Sequence, residues 1–421
     1  MTRFPALLSA VLMLLAGLAP AAQTQARFHY AGALEFNPDA GTLSADWHID
    51  VLEADLEALT FLLNRNLGPV EIDGPDVVEV RRAEVEGFNG TLASYTIILR
   101  PAGDGRARRL AVRYSGELLP EPLPYRINTL DAQKIELTVD SFWMPFDQRF
   151  NSLVTADFDI RIDGAWSGVA MQSLQRTADG FRLVQDRPAL DIAFTLMSRF
   201  RLQQTEAYRI YDLREGEQDL TALIDALDFC TGYLNNLAGP AGPLPSAGIT
   251  VTGRDGGGYS RATLIALTDI SDTSPERLTQ FICHELAHYW SRGNPMTVEN
   301  WLNEGFADHI ANMALRAAHG EAAYEARLGE YRERLANSDD ALPPIWRPGQ
   351  TERPPYLVAY RKAPVLLAEL EDAVGRDAFA RFIARMMREE TATTPAMLDA
   401  LQAEAGVEAR TRFEARLGEP G

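Results

Sequence analysis

The chain has 421 residues, with 40 Lys and Arg against 59 Asp and Glu, two cysteines and six histidines. Its length suits two domains, and 46% hydrophobic with 24% charged residues excludes a disordered chain, a collagen-like repeat and a polytopic membrane protein. A net charge of −19 leaves no basic footprint for nucleic acid, and two cysteines are too few for a disulfide-stapled scaffold or a cysteine-based zinc finger.

At the amino terminus Arg3 precedes an apolar run from Phe4 to Ala19, followed by the small residues Ala19-Pro20-Ala21-Ala22. This is the pattern of a signal peptide over residues 1–26, with cleavage after Ala21 or Ala26. A retained anchor is the alternative, but Ser9, Gly17 and Pro20 dilute the apolar run. The expected mature protein is exported, secreted or periplasmic, with no stable membrane span.

Residues 27–200 read as short, alternating, turn-rich strands, among them Tyr95–Leu99, Arg109–Tyr114 and Phe158–Ile162. An all-β sandwich or saddle domain is expected there. From residue 201 to 421 the pattern is mixed: a helix over Asp219–Leu237, strands at Ile249–Val251 and Thr263–Leu267, then helices broken at Gly293-Asn294-Pro295 and in the Pro-rich loop from Leu342 to Pro355. The fold class is therefore α+β. Cys230 and Cys283 both fall in helical patterns and read as two buried thiols, with pairing in an oxidising compartment as the alternative.

Ser274-Pro275-Glu276 has the form of a helix start, with an N-cap, a first-turn proline and an acid at the positive dipole end. His284-Glu285-Leu286-Ala287-His288 follows. Histidines four apart lie on one helical face, so both imidazoles can reach a single Zn2+. Glu285 is turned about 100° from His284, beside the metal, where a carboxylate can take a proton from water activated by it. Zinc in this arrangement takes its third ligand from a neighbouring helix, and Glu304 in Trp301-Leu302-Asn303-Glu304-Gly305-Phe306-Ala307-Asp308-His309 is the candidate. Asp308 is either a carboxylate supporting His284 from outside the ligand set or an exposed helical acid. His309 reads as structural.

His-Glu-Leu-Ala-His-Tyr-Trp followed by Trp-Leu-Asn-Glu-Gly-Phe-Ala resembles the gluzincin metallopeptidases of the aminopeptidase N family. The resemblance implies an amino-terminal β domain, a thermolysin-like catalytic domain, one zinc per chain on His284, His288 and Glu304, and Glu285 as general base. Fifteen residues lie between His288 and Glu304, a shorter spacing than is usual in the family. Tyr360-Arg361-Lys362-Ala363 resembles the family's Tyr-x-Lys-Gly-Ala, which implies that Tyr360 hydrogen-bonds the tetrahedral intermediate, with Tyr356 as the alternative. Ala363-Pro364 in place of Gly-Ala implies a different helix start. Phe142-Trp143-Met144-Pro145-Phe146-Asp147 is similar to part of the family's β domain.

The family's Gly-Ala-Met-Glu-Asn strand, whose glutamate holds the substrate amine, corresponds to Gly256-Gly257-Gly258-Tyr259-Ser260-Arg261. Ser260 falls where the glutamate should be, and a hydroxyl beside the Arg261 cation is a poor ammonium receptor. Gly257 and Gly258 could still let substrate backbone pair with this cleft edge. About 60 residues follow Tyr360, too few for the family's carboxy-terminal helical domain. The expected function is an exported zinc metallopeptidase acting on peptide or protein substrates, of doubtful exopeptidase specificity. Its rivals are a non-catalytic peptide-binding zinc scaffold and a zinc hydrolase of a non-peptide substrate.

Overall fold

A computed structural model describes residues 26–420 except 54–55, 87–89, 102–106, 120–126, 217, 255–257 and 339–340. The expected signal segment thus lies outside the described residues, apart from Ala26. The described chain falls into two units, one within Gln23–Gly216 and Ser246–Ile270, the other within Glu217–Pro245 and Ser271–Gly421.

The first unit is built from sheets. Phe28–Asn37 is the central strand of a seven-stranded sheet, antiparallel to Thr42–Val51 and parallel to Val154–Ile162. Period-two alternation sends Leu43, Ala45, Trp47, Ile49 and Val51 inward. Trp47 packs edge-on against Phe158 at 4.9 Å, and Trp143 packs edge-on against Phe194 at 5.6 Å. The Trp47 indole N–H donates to Tyr114 at 2.8 Å, leaving no polar atom of that side chain unmet in the core.

A five-stranded mixed sheet also belongs to this unit, in the order Arg201–Gln204, Tyr208–Asp212, Ala247–Val251, Leu264–Leu267, Tyr259–Arg261. Its Tyr211 and Leu264 bury against Val169, Met171 and Met197. A Cβ at Gly248 would stand 1.9 Å from Val169 Cγ2, so only glycine permits that approach. The strands after residue 201 therefore share a core with the strands before it.

The second unit is helical: α1 (Thr221–Ala238), α2 (Pro275–Ala287), α3 (Asn300–His319), α4 (Glu321–Ala336), α5 (Ala363–Val374), α6 (Arg376–Arg388) and α7 (Thr394–Leu417). All-β sheets, then a mixed sheet, then helices is the α+β arrangement expected. No helix among the described residues is long and apolar enough to cross a membrane. The start of α2 follows its sequence signal: the Ser274 side chain accepts from the Arg277 N–H, and Pro275 occupies the first turn. From Asn300 to Leu315 every residue of α3 except Glu304 is buried, which makes it the core helix of this unit.

One expectation is corrected here. Cys230 and Cys283 are not two thiols but a disulfide, with a Cα–Cα separation of 5.1 Å. The reason is tertiary: α1 packs alongside α2, and the two fully buried cysteines meet across that contact within bridging range.

Candidate active site

The end of α2, the single 3-10 turn His288–Trp290 that follows it and the first turns of α3 carry the cluster. His284 and His288 lie one turn apart, with their Nε2 atoms 3.1 Å from each other. Glu304 Oε2 lies 3.6 Å from the first and 3.5 Å from the second. Ligands about 2.0–2.1 Å from a tetrahedral zinc stand about 3.3 Å from one another. Two imidazoles and one carboxylate at these separations fit a single zinc ion and leave one tetrahedral corner open. Among the described residues this is the one group of three or more His, Cys, Asp or Glu placed to hold a metal.

The surrounding field favours a cation. Burial opposes charge on His284, yet hydrogen bonds to Asp308 and Glu304 and the nearby Glu285 carboxylate hold its pKa well above the ordinary range. Burial would raise Glu304, but His288 and His284 outweigh it and keep that carboxyl at about 2. Glu285 is half-buried, and its charge is felt by both His284 and Tyr360.

Asp308 lies four residues after Glu304 and is buried, so the reading of it as an exposed acid is excluded. Its Oδ1 stands 3.3 Å from His284 Nδ1, which aims His284 Nε2 toward the cluster. Asp308 is itself held by Gln280 Nε2 at 2.7 Å and by the Arg361 guanidinium at 3.4 Å. Gln280 is one turn before His284 on the same face of α2, and its Oε1 accepts from Arg327 Nη2 of α4 at 3.2 Å.

Tyr360 sits in a π-helical turn, Val358–Lys362, which runs directly into α5. Its phenol hydrogen-bonds Glu304; burial first, then that carboxylate, pushes its pKa well above the usual value. Tyr356 stacks on it at 4.5 Å between ring centroids but is largely exposed. Gly305 makes the placement possible, because a Cβ there would lie 2.8 Å from Ala363 Cβ and 3.5 Å from Ala359 O.

The sequence-derived cleft edge is in the other unit. Ser260 and Arg261 lie on Tyr259–Arg261, the edge strand of the five-stranded sheet, and Gly258 immediately precedes it. Gly257 is outside the described residues. Arg261 is engaged, with Nε 2.9 Å from Asp191 and Nη2 3.5 Å from Asp140.

Gln280, Arg327 and Arg361 were not among the candidates drawn from the sequence. The i, i+4 step from Gln280 to His284 could have pointed to the first. The other two reach the site from helical segments distant in sequence.

A zinc-ligand cluster on two helices of an α+β chain is the arrangement of a gluzincin metallopeptidase. Residues 259–412 match the model of the peptidase family M1 domain, and together with the ligand cluster this match supports a zinc metallopeptidase with one zinc as its cofactor. Solved structures share its fold. An M1 zinc metallopeptidase from Deinococcus radiodurans is 20% identical with a TM-score of 0.64, covering 94% of this chain and 95% of that one. A two-domain M1 zinc metallopeptidase bound to L-arginine is 19% identical with a TM-score of 0.67, over 93% and 94% of the two chains. Yeast LTA4 hydrolase is 17% identical with a TM-score of 0.69, over 94% of this chain and 68% of its own. No curated protein sequence matches this chain.

Proposed function

We propose that this chain is an exported peptidase in which His284, His288 and Glu304 hold one zinc, Glu285 is the general base and Tyr360 is the oxyanion donor. The observation that carries this reading is the fit of three ligand atoms, 3.1 to 3.6 Å apart, to one tetrahedral zinc. Zinc supplies Lewis acidity there, polarising the scissile carbonyl and acidifying the attacking water. Glu285, beside the ligands on α2, takes the proton of that water and hands it to the leaving amine. Tyr360 keeps its proton at neutral pH, because burial and Glu304 raise its pKa, and can donate to the oxygen that gains charge.

The amino-terminal pattern over residues 1–26 supports export. The Cys230–Cys283 disulfide supports an oxidising compartment as well. Amino-terminal sequencing of the exported protein tests this and should begin just after Ala21 or Ala26; a chain retaining Arg3 would contradict it.

Substrates are peptides, and one observation separates this chain from an amine-anchored aminopeptidase. Ser260 stands where an anchoring glutamate is expected, and Arg261 beside it is already paired with Asp191 and Asp140. Mapping the products from a mixed peptide library tests the reading. Cleavage that is lost in Glu285→Gln supports hydrolysis by this site, and the position of the cuts separates internal from amino-terminal cleavage. Zinc-loaded protein that cleaves no peptide would leave the peptide-binding scaffold or a non-peptide hydrolase in its place.

A further inference from the structure

We propose that Arg361 is a positioning residue that fixes the zinc ligand His284 and the oxyanion donor Tyr360 with one guanidinium. The inference rests on the roles of His284 and Tyr360 given above.

Arg361 is 7% exposed. Its Nη1 lies 3.4 Å from Asp308 Oδ2, on the carboxylate whose other oxygen faces His284 Nδ1. The same Nη1 donates to the main-chain oxygen of Tyr360 at 2.6 Å, and Nη2 donates to the Tyr356 hydroxyl at 2.8 Å. The guanidinium lies over the Tyr331 ring at 4.6 Å, which limits its freedom to turn away.

The local sequence explains why an arginine is needed. Pro364, in the first turn of α5, has no N–H to give to the carbonyl four residues earlier, which is that of Tyr360. The turn widens to Val358–Lys362, and the Tyr360 carbonyl receives the Arg361 side chain instead. Nη1 serves both Asp308 and the Tyr360 carbonyl, while Nη2 of the same rigid planar fork holds the Tyr356 hydroxyl. Lysine offers a single nitrogen without that fixed geometry and cannot hold all three partners in the same way.

Gln280 is the internal control. It holds the other oxygen of Asp308, and no contact joins it to the Tyr356–Tyr360 turn among its hydrogen bonds described above. Arg361→Met should therefore disturb both zinc binding and the Tyr360 contribution, and Gln280→Met zinc binding alone. Residues behind metal ligands typically contribute about 10–100-fold in affinity.

The experiment measures zinc affinity by competition with a chromogenic chelator, together with kcat and KM on a peptide substrate, for the full chain. The proteins are wild type, Arg361→Met, Arg361→Lys, Gln280→Met, Tyr360→Phe and the double variants of Tyr360→Phe with each. About 10-fold weaker zinc in Arg361→Met is expected, with less than additive loss of kcat when it is combined with Tyr360→Phe at saturating zinc. Gln280→Met should weaken zinc but combine additively with Tyr360→Phe. Arg361→Lys, which preserves charge and most of the bulk, should show the same coupling defect and serves if the methionine variant does not fold. Wild-type zinc affinity in both Arg361 variants, or additivity of Arg361 with Tyr360, overturns this inference alone. A wild type that binds no zinc overturns it together with the reading on which it rests.

Discussion

Cys283, bonded to Cys230, is the residue immediately before His284. The bond ties α1 to the last turns of α2, so the helix that carries His284 and is capped by His288 is anchored covalently one position from the first of them. It closes a loop with a sequence separation of 53 residues. For a loop of that length the chain-entropy model gives about 4 kcal/mol, and measured contributions run about 2–4 kcal/mol. The Cys230→Ala, Cys283→Ala double variant should melt several degrees below wild type in calorimetry. An unchanged Tm would mean that α1 and α2 hold their register without the bond.

Gly305 sets the distance between α3 and the turn that carries Tyr360. On helix propensity alone, alanine there would stabilise α3 by about 1 kcal/mol. The added methyl would instead press on Ala363 at 2.8 Å, and overpacking of this kind costs about 1–3 kcal/mol. Gly305→Ala should therefore lower Tm and lower kcat as the Tyr360 turn is pushed outward. A variant with raised Tm and full kcat would contradict the close approach.

Tyr360→Phe removes the phenol but keeps the ring between Tyr356 and His284. An oxyanion donor acts in the transition state only, so kcat should fall by about 100- to 1,000-fold with KM little changed. Steady-state kinetics on one peptide checks this. A rise in KM at constant kcat would assign Tyr360 to ground-state binding instead.

Glu371 of α5 gives the helical unit an acid-sensitive point away from the zinc ligands. Burial would raise its pKa, but hydrogen bonds from His309 and Arg316 hold it at about 2. A carboxyl depressed in the folded state contributes stability that is present above its ordinary pKa and is lost as pH falls toward the folded value. Wild-type Tm should thus decline between about pH 4.5 and pH 2. Glu371→Gln should melt lower than wild type at pH 7, because the half-buried Arg316 loses the charge of its buried partner. The gap should narrow steadily as pH falls toward about 2, where half of the wild-type carboxyl is protonated. A gap of the same size at both ends of that range would contradict the assignment.

Much of the site can be read from local sequence because its chemistry is repeated along helices. Ser274-Pro275 marks the start of α2, and the four-residue step from His284 to His288 needs only helical geometry to put two imidazoles on one face. Asp308 could be suspected in the same way, four residues after Glu304, but its burial could not. The disulfide was not legible, because pairing depends on how closely α1 packs on α2, and neither cysteine carries that information. Arg361 was hidden for a related reason. It fills a variable position of a motif, and its significance comes from Asp308 on another helix and from Pro364, which withholds an N–H from Tyr360. Two strands of the five-stranded sheet were anticipated at Ile249–Val251 and Thr263–Leu267, whereas their partners in that sheet and the seat of Gly248 on Val169 belong to tertiary packing.

The central claim is that His284, His288 and Glu304 together hold one zinc ion on which Glu285 depends. Metal content measured by mass spectrometry on purified wild type, His288→Ala and Glu285→Gln, alongside peptide hydrolysis, tests it most directly. One zinc per chain and activity are predicted for wild type, near-zero zinc for His288→Ala, and full zinc without hydrolysis for Glu285→Gln. Full zinc in His288→Ala, or hydrolysis by Glu285→Gln, would contradict the account.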